Sequence, residues 1–215
     1  MTTKPNICVL ISGNGSNLQA IIDGVNAGKI NANIACVIAN RPDAYGLERA
    51  REAGIEAVCL DHKLYSDRQS YDIALREALE AHQPKCVVLA GFMRILTSEF
   101  VEHFSGRLLN IHPSLLPKYK GLNTHQRALD NNDDEHGLSV HFVTPELDGG
   151  PVIIQCKVPV FADDNAEALA QRVQEQERSI YPLVVHWFCS DRLKMNNNKA
   201  LLDGKVLPDN GYANE

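Results

Sequence analysis

The chain has 215 residues, 44% of them apolar and 22% charged, with a formal net charge of −6. That length supports one well-buried core, and the acidic balance argues against a nucleic-acid partner, which favours basic surfaces. No stretch approaches the roughly 20 apolar residues of a membrane span, and the apolar run at 7–11 ends too early at Ser12-Gly13 for a secretory signal, so a cytoplasmic location is expected.

The run at 7–11 has the pattern of a buried parallel strand. Residues 17–25 have helical spacing, with Leu18, Ile21, Ile22 and Val25 on one face. A strand at 34–39, a helix at 44–53 closed by Gly54, and a short strand at 57–60 follow. A longer helix over 68–81 must stop before Pro84, and the continuous apolar run at 86–90 suits a central strand. A short helix at 99–104 and a strand at 108–112 complete the alternation. The expectation is an α/β, Rossmann-like, mostly parallel twisted sheet flanked by helices. Later the pattern changes to a helix at 124–129, strands at 137–143 and 152–160, and a long helix at 164–188. Pro182 is expected to kink or break that helix. A hairpin over 193–207 fits the last part, giving a mixed-strand C-terminal region. Cys8, Cys36, Cys59, Cys86, Cys156 and Cys189 are scattered without a CxxC pair, as expected of small buried apolar residues in a reducing compartment.

Several polar groups interrupt this frame. Ser12-Gly13-Asn14-Gly15-Ser16-Asn17 joins the first strand to the first helix, where free amides and the helix dipole suit a phosphate; a plain tight turn is the alternative. Ser16 and Gln19 fit a capping box there. Asn110 and His112 are two apart on a strand, hence on one face, and that pairing suits acyl-group chemistry: an oxyanion donor and a proton carrier. Asp148, in a Gly-flanked loop, either steadies a protonated His112 or only shapes an Asp-Gly turn. His125, His136 and His141 match no zinc spacing, so no metal is expected. The loop Gly91 to Leu96, apolar with one Arg, suits either a flat heterocycle or the core. Gln174 and Glu177 share a helix face. The acidic segment 130–135 is expected to be a solvated loop, and Lys120 and Asn123 receive no role.

Taken in order, Ser12 to Asn17, Ala90 to Arg94, Asn110 to Pro117 and Glu146 to Pro151 closely resemble the folate-dependent formyltransferases, specifically those acting on phosphoribosylglycinamide, over about 7–212. The resemblance implies a single domain over 1–215, with a nucleotide-binding half at about 1–105 and a catalytic, folate-binding half at about 106–215. It implies formyl transfer from 10-formyltetrahydrofolate, as co-substrate and without metal, to the amine of phosphoribosylglycinamide in purine biosynthesis. Asn110, His112 and Asp148 would be catalytic: Asn110 and the His112 imidazolium as oxyanion donors, His112 also as proton donor to the folate nitrogen, and Asp148 as support for the ring and an ordered water. Gly15, Ser16, Asn17, Gln174 and Glu177 would hold phosphoribosylglycinamide. Arg68, Met93, Arg94, Ile95, Leu96, Asn110, Thr144, Pro145, Glu146, Leu147 and Asp148 would face the folate. Small molecules would be the only partners, with no nucleic acid or membrane, and the protein would be a monomer or homodimer. A tRNA formyltransferase would need a further C-terminal domain, a formyltetrahydrofolate hydrolase a further N-terminal one, and a non-catalytic nucleotide-binding module would leave the catalytic trio unexplained.

Overall fold

The apolar runs of the first half pair as parallel strands in the computed structural model, which describes residues 4–212. They are β1 (Asn6–Ile11), β2 (Asn33–Ala39), β3 (Ala57–Cys59), β4 (Cys86–Leu89) and β5 (Leu108–His112). Between them lie α1 (Ser16–Asn26), α2 (Gly46–Glu52), α3 (Arg68–Glu80) and α4 (Ser98–His103), each within one or two residues of its sequence pattern. Then follow α5 (Thr124–Asp130), β6 (Glu135–Phe142), β7 (Val152–Pro159) and α6 (Ala166–Cys189). The sheet order is β3-β2-β1-β4-β5-β6-β7, and β6 and β7 run antiparallel to their neighbours.

Strand alternation divides the core in two. Ile7, Val9, Ile11, Leu109 and Ile111 pack under α1, α2, α5 and α6, whereas Cys8, Leu10, Leu89 and Leu108 pack under α3 and α4. The strand order reverses between β1 and β4, the place where sheets of this type leave a crevice at the strands' carboxyl ends. Ser12 closes the floor of that crevice. Its amide donates to the Gly91 carbonyl at 3.1 Å, and its hydroxyl donates to Asn40 Oδ1 at 2.6 Å while accepting from the Met93 amide at 2.7 Å.

Three expectations need correction. α6 runs through Pro182 unbroken. An interior proline costs about 3 kcal/mol, but the segment beyond it buries Val184, Val185, Trp187 and Phe188, and each large apolar side chain returns about 1.5–3 kcal/mol. Packing decides. The C-terminal hairpin gains a third strand, so that β8 (Leu193–Asn196), β9 (Lys199–Leu202) and β10 (Lys205–Val206) form a small antiparallel sheet. Finally, Cys59 is exposed, because it ends the short edge strand β3; Cys8, Cys36, Cys86 and Cys189 are buried as expected. No helix among the described residues is long and apolar enough to cross a membrane.

Candidate active site

β5 sends Leu109 and Ile111 into the core beneath α6, which leaves Asn110 and His112 on the other face. The antiparallel register then sets Asn110 beside His141 and His112 beside Ser139. His141 Nδ1 lies 2.8 Å from the Phe142 carbonyl, and its Nε2 lies 3.1 Å from Asn110 Nδ2. A carbonyl only accepts and an amide nitrogen only donates, so these partners assign the neutral ring with its proton on Nδ1. Burial lowers the His141 pKa to about 4, against the opposing pull of the Phe142 carbonyl and Asp148. The Asn110 amide is thereby aimed by a neutral imidazole.

His112 is 6% exposed, and both its nitrogens meet acceptors: Nε2 is 2.9 Å from the Tyr119 carbonyl and Nδ1 is 3.5 Å from Asp148 Oδ2. Asp148 also reaches His141 Nε2 at 3.8 Å and accepts the Gly121 amide at 2.8 Å. Its backbone is left-handed, φ 47°. The turn closes tightly behind it, since a Cβ on Gly150 would sit 1.9 Å from the Phe142 carbonyl oxygen. The structure therefore brings the predicted trio together. It also engages His112 Nε2 with Tyr119, so the ring can donate to a ligand only if the 113–123 loop gives way.

The first strand-helix turn differs from its expected form. Ser16 and Gln19 make no capping box: Gly15 caps α1 in left-handed conformation, φ 77°, and no side chain accepts from the first-turn amides. Gln19 instead bonds Asp23 and Arg49. Asn17 Nδ2 donates to Glu177 Oε2 at 2.8 Å. Glu177 is buried because it lies on the same face of α6 as Val173 and Tyr181, and the Tyr181 hydroxyl fastens that face to the Leu89 and Leu109 carbonyls at 2.9 and 3.1 Å. Burial raises the Glu177 pKa, the Asn17 hydrogen bond opposes this, and the charge of His112 contributes in the same direction as Asn17. The turn, the carboxyl group and the imidazole thus share one electrostatic neighbourhood. Gln174 is exposed one turn earlier.

The remaining predicted residues are more dispersed. Met93, Ile95 and Leu147 are exposed apolar side chains, and Leu96 is partly buried against the α3–α4 core. Arg94 packs over the Tyr71 ring at 4.5 Å, so its guanidinium is turned inward. Asp72 accepts the Thr97 amide at 2.6 Å and fixes the end of that loop, with Arg68 exposed at the start of the same helix. Thr144, Pro145 and Glu146 line a cleft of about 400 Å³ with Val101, Ser105 and Met195. Within the acidic segment, Asp133 is not simply solvated: it accepts from Lys118 and the Tyr119 hydroxyl at 3.0 and 2.8 Å. His125 and His136 face each other at 3.1 Å. Burial lowers both, His136 to about 4; the charge of His112 acts on each in the same direction, and that of His125 on His136. Lys120, given no role, pairs with Glu146 at 2.7 Å. Sequence reasoning missed Tyr119, named Ser12 only within the phosphate turn, and weighed His141 only as a metal ligand. The i, i+2 pair Ser139/His141 was the available signal, but it acquires meaning only once β6 is known to run antiparallel to β5.

Residues 5–185 match the formyl transferase family. The chain is 60% identical over 208 residues to the phosphoribosylglycinamide formyltransferase of Escherichia coli (strain K12), covering 97% of this chain and 98% of that one. It is 53% identical over 209 residues to the enzyme of the same name from Haemophilus influenzae, covering 97% and 99%. The solved phosphoribosylglycinamide formyltransferase of Coxiella burnetii superposes with a TM-score of 0.92 at 49% identity, over 97% of this chain and 98% of that one.

Proposed function

The chain belongs to the formyl transferase family, and on that footing we propose that it moves the formyl group of 10-formyltetrahydrofolate to the amine of 5-phosphoribosylglycinamide. The products are formylglycinamide ribonucleotide and tetrahydrofolate, in purine biosynthesis. The observation that carries this reading is the meeting of Asn110 and His112, on one face of β5, with Asp148 from the loop between β6 and β7, within the electrostatic reach of Glu177.

The residues present fit such a donor. Exposed Met93, Ile95 and Leu147 offer apolar cover to a flat ring, and Asn110 and His112 supply polar anchors. When bound, the folate supplies an activated formyl group. Asn110 Nδ2 then donates to the formyl oxygen as negative charge gathers there, and His141 keeps the amide aimed. His112 exchanges the Tyr119 carbonyl for the reacting group and serves as second donor and proton source. Asp148 holds the ring from its Nδ1 side and anchors the 113–123 loop through Gly121.

The amides of Gly15, Ser16 and Asn17 receive the phosphate of the acceptor substrate. Glu177, oriented by Asn17, and Gln174 face its ribose and amide portion. Arg68 meets the glutamate tail of the folate, while the loops Met93 to Leu96 and Thr144 to Asp148 cradle the pterin largely through backbone groups, beside the apolar cover of Met93, Ile95 and Leu147. The first half of the chain is the nucleotide side and the second half the chemical side, and the protein acts as a monomer or homodimer.

The direct test mixes the purified protein with a 10-formylfolate analogue and candidate amines and follows the absorbance of the folate. Turnover with phosphoribosylglycinamide and none with glycinamide itself is expected. Absence of turnover with the phosphoribosyl amine would overturn the reading.

A further inference from the structure

A second chemical cluster lies at the opposite edge of the sheet. Cys36 is the fourth residue of β2, Glu56 immediately precedes β3, and His82 follows the end of α3. Their Sγ, carboxylate oxygen and ring nitrogen all lie within 4.8 Å of one another, and His82 Nε2 is 4.0 Å from Glu56 Oε1. The crevice described above is at the carboxyl ends of β1 and β4. This cluster is near their amino ends, where Asn6, the first residue of β1, donates to the His82 carbonyl at 2.9 Å.

The main chain at each position is already fixed. The Val37 amide donates to the Glu56 carbonyl at 2.8 Å, and Cys36 is in parallel register with Cys8 in the centre of the sheet. The thiol is fully buried, the imidazole partly buried and the carboxylate exposed, so the cluster has a dry wall on one side and an opening on the other. A thiol, an imidazole and a carboxylate on three separate segments are the donor types that zinc combines. Bond lengths of about 2.3 Å to sulfur and 2.0 Å to nitrogen place tetrahedral ligands about 3.5 Å apart. The observed spacing must shorten toward that value by side-chain rotation as the ion binds.

We propose that Cys36, Glu56 and His82 bind one zinc ion, with water from the open side as fourth ligand, as a structural clamp between the β2–β3 edge and the end of α3. As the zinc–sulfur bond forms, the Cys36 thiol gives up its proton to solvent; nothing is oxidised or reduced. The ion fastens a three-residue edge strand that pairs with a neighbouring strand, β2, on one side only. It takes no part in formyl transfer.

The test uses full-length protein stripped with a chelator and titrated with cobalt(II), whose thiolate charge-transfer absorption reports a sulfur ligand directly. One equivalent should bind with that band, and zinc should displace it. At a hundredfold excess over Kd, zinc should raise Tm by about 5–10 °C. His82→Gln, at a partly buried position, and Glu56→Gln, at an exposed one, should each weaken binding at least tenfold while leaving turnover unchanged. Cys36→Ala should abolish the band, and Cys59→Ser should keep it. Four results would overturn the proposal: no charge-transfer band at millimolar cobalt, a band that survives His82→Gln undiminished, a band lost in Cys59→Ser, or sulfur-free binding that disappears in His136→Gln, which would place the ion on the His125–His136 pair.

Discussion

Asn17 and Glu177 are 160 positions apart in the chain and are joined by one buried hydrogen bond of 2.8 Å. The bond ties the first strand-helix turn to the middle of the last helix. Its acceptor lies within the field of His112, so it links that turn to the face of the sheet bearing Asn110 and His112.

Glu177→Gln removes the charge and keeps an oxygen to accept from Asn17. The KM for phosphoribosylglycinamide should rise about tenfold or more, the loss expected for a charged hydrogen-bonding group, with a smaller change in kcat. Because burial already opposes the ionised carboxyl group, Tm should not fall. Steady-state kinetics and calorimetry check both halves of this expectation.

Asn110→Ala and His112→Ala should each lower kcat by at least 10²–10³, the cost typical of losing an oxyanion donor. Circular dichroism and Tm should report an intact fold. Near-normal turnover in either purified variant would remove it from the chemistry.

Asp148→Asn and Asp148→Ala separate charge from anchoring. The asparagine variant can still accept the Gly121 amide, now made at 2.8 Å, so the 113–123 loop should keep its protection from hydrogen exchange while turnover drops. The alanine variant should lose both. Equal exchange protection in the two variants would show that Asp148 does not hold the loop.

His136 is 1% exposed, and burial lowers its pKa to about 4, below its ordinary value of 6.5. Between those values the unfolded chain takes up a proton that the folded chain refuses. Stability is therefore complete above about pH 6.5 and declines as pH falls toward 4. His136→Gln should flatten the slope of unfolding free energy against pH in that window by up to about 1.4 kcal/mol per pH unit. Buried His141, also held near 4, retains part of the slope. Urea unfolding at pH 7 and pH 5 measures the difference.

Gly150→Ala would force a methyl group to 1.9 Å from the Phe142 carbonyl oxygen. The turn must move, at a cost of about 1–3 kcal/mol as for other overpacked sites. Since Asp148 sits two residues earlier, turnover should fall along with Tm. Full activity at reduced Tm would mean that the loop relaxes without carrying the carboxylate away.

The sheet and its helices were legible because apolar spacing is a local signal: 7–11, 86–90 and 108–112 could be little else. Asn110, His112 and Asp148 were legible as a group only through the resemblance, since nothing local shows that Asp148 folds back 3.5 Å from the ring. What escaped depended on contacts distant in sequence. Pro182 stays helical because of what the following turn buries. Gly15 displaces the Ser16 capping box because the chain must turn left-handed there. His141 acquires a role only through the β5–β6 register. The Cys36, Glu56 and His82 cluster has no signature spacing, because three separate elements contribute to it.

α6 has a mechanical consequence for the whole molecule. Tyr181 pins it to β4 and β5, and one turn away Glu177 reaches across to α1. It is the ruler that sets the distance between the first strand-helix turn and the β5–β6 pair bearing His112 and His141. A slip of one helical turn, about 5.4 Å, would leave the sheet and the helix whole and yet, on the proposed reading, hold the two substrates too far apart to meet.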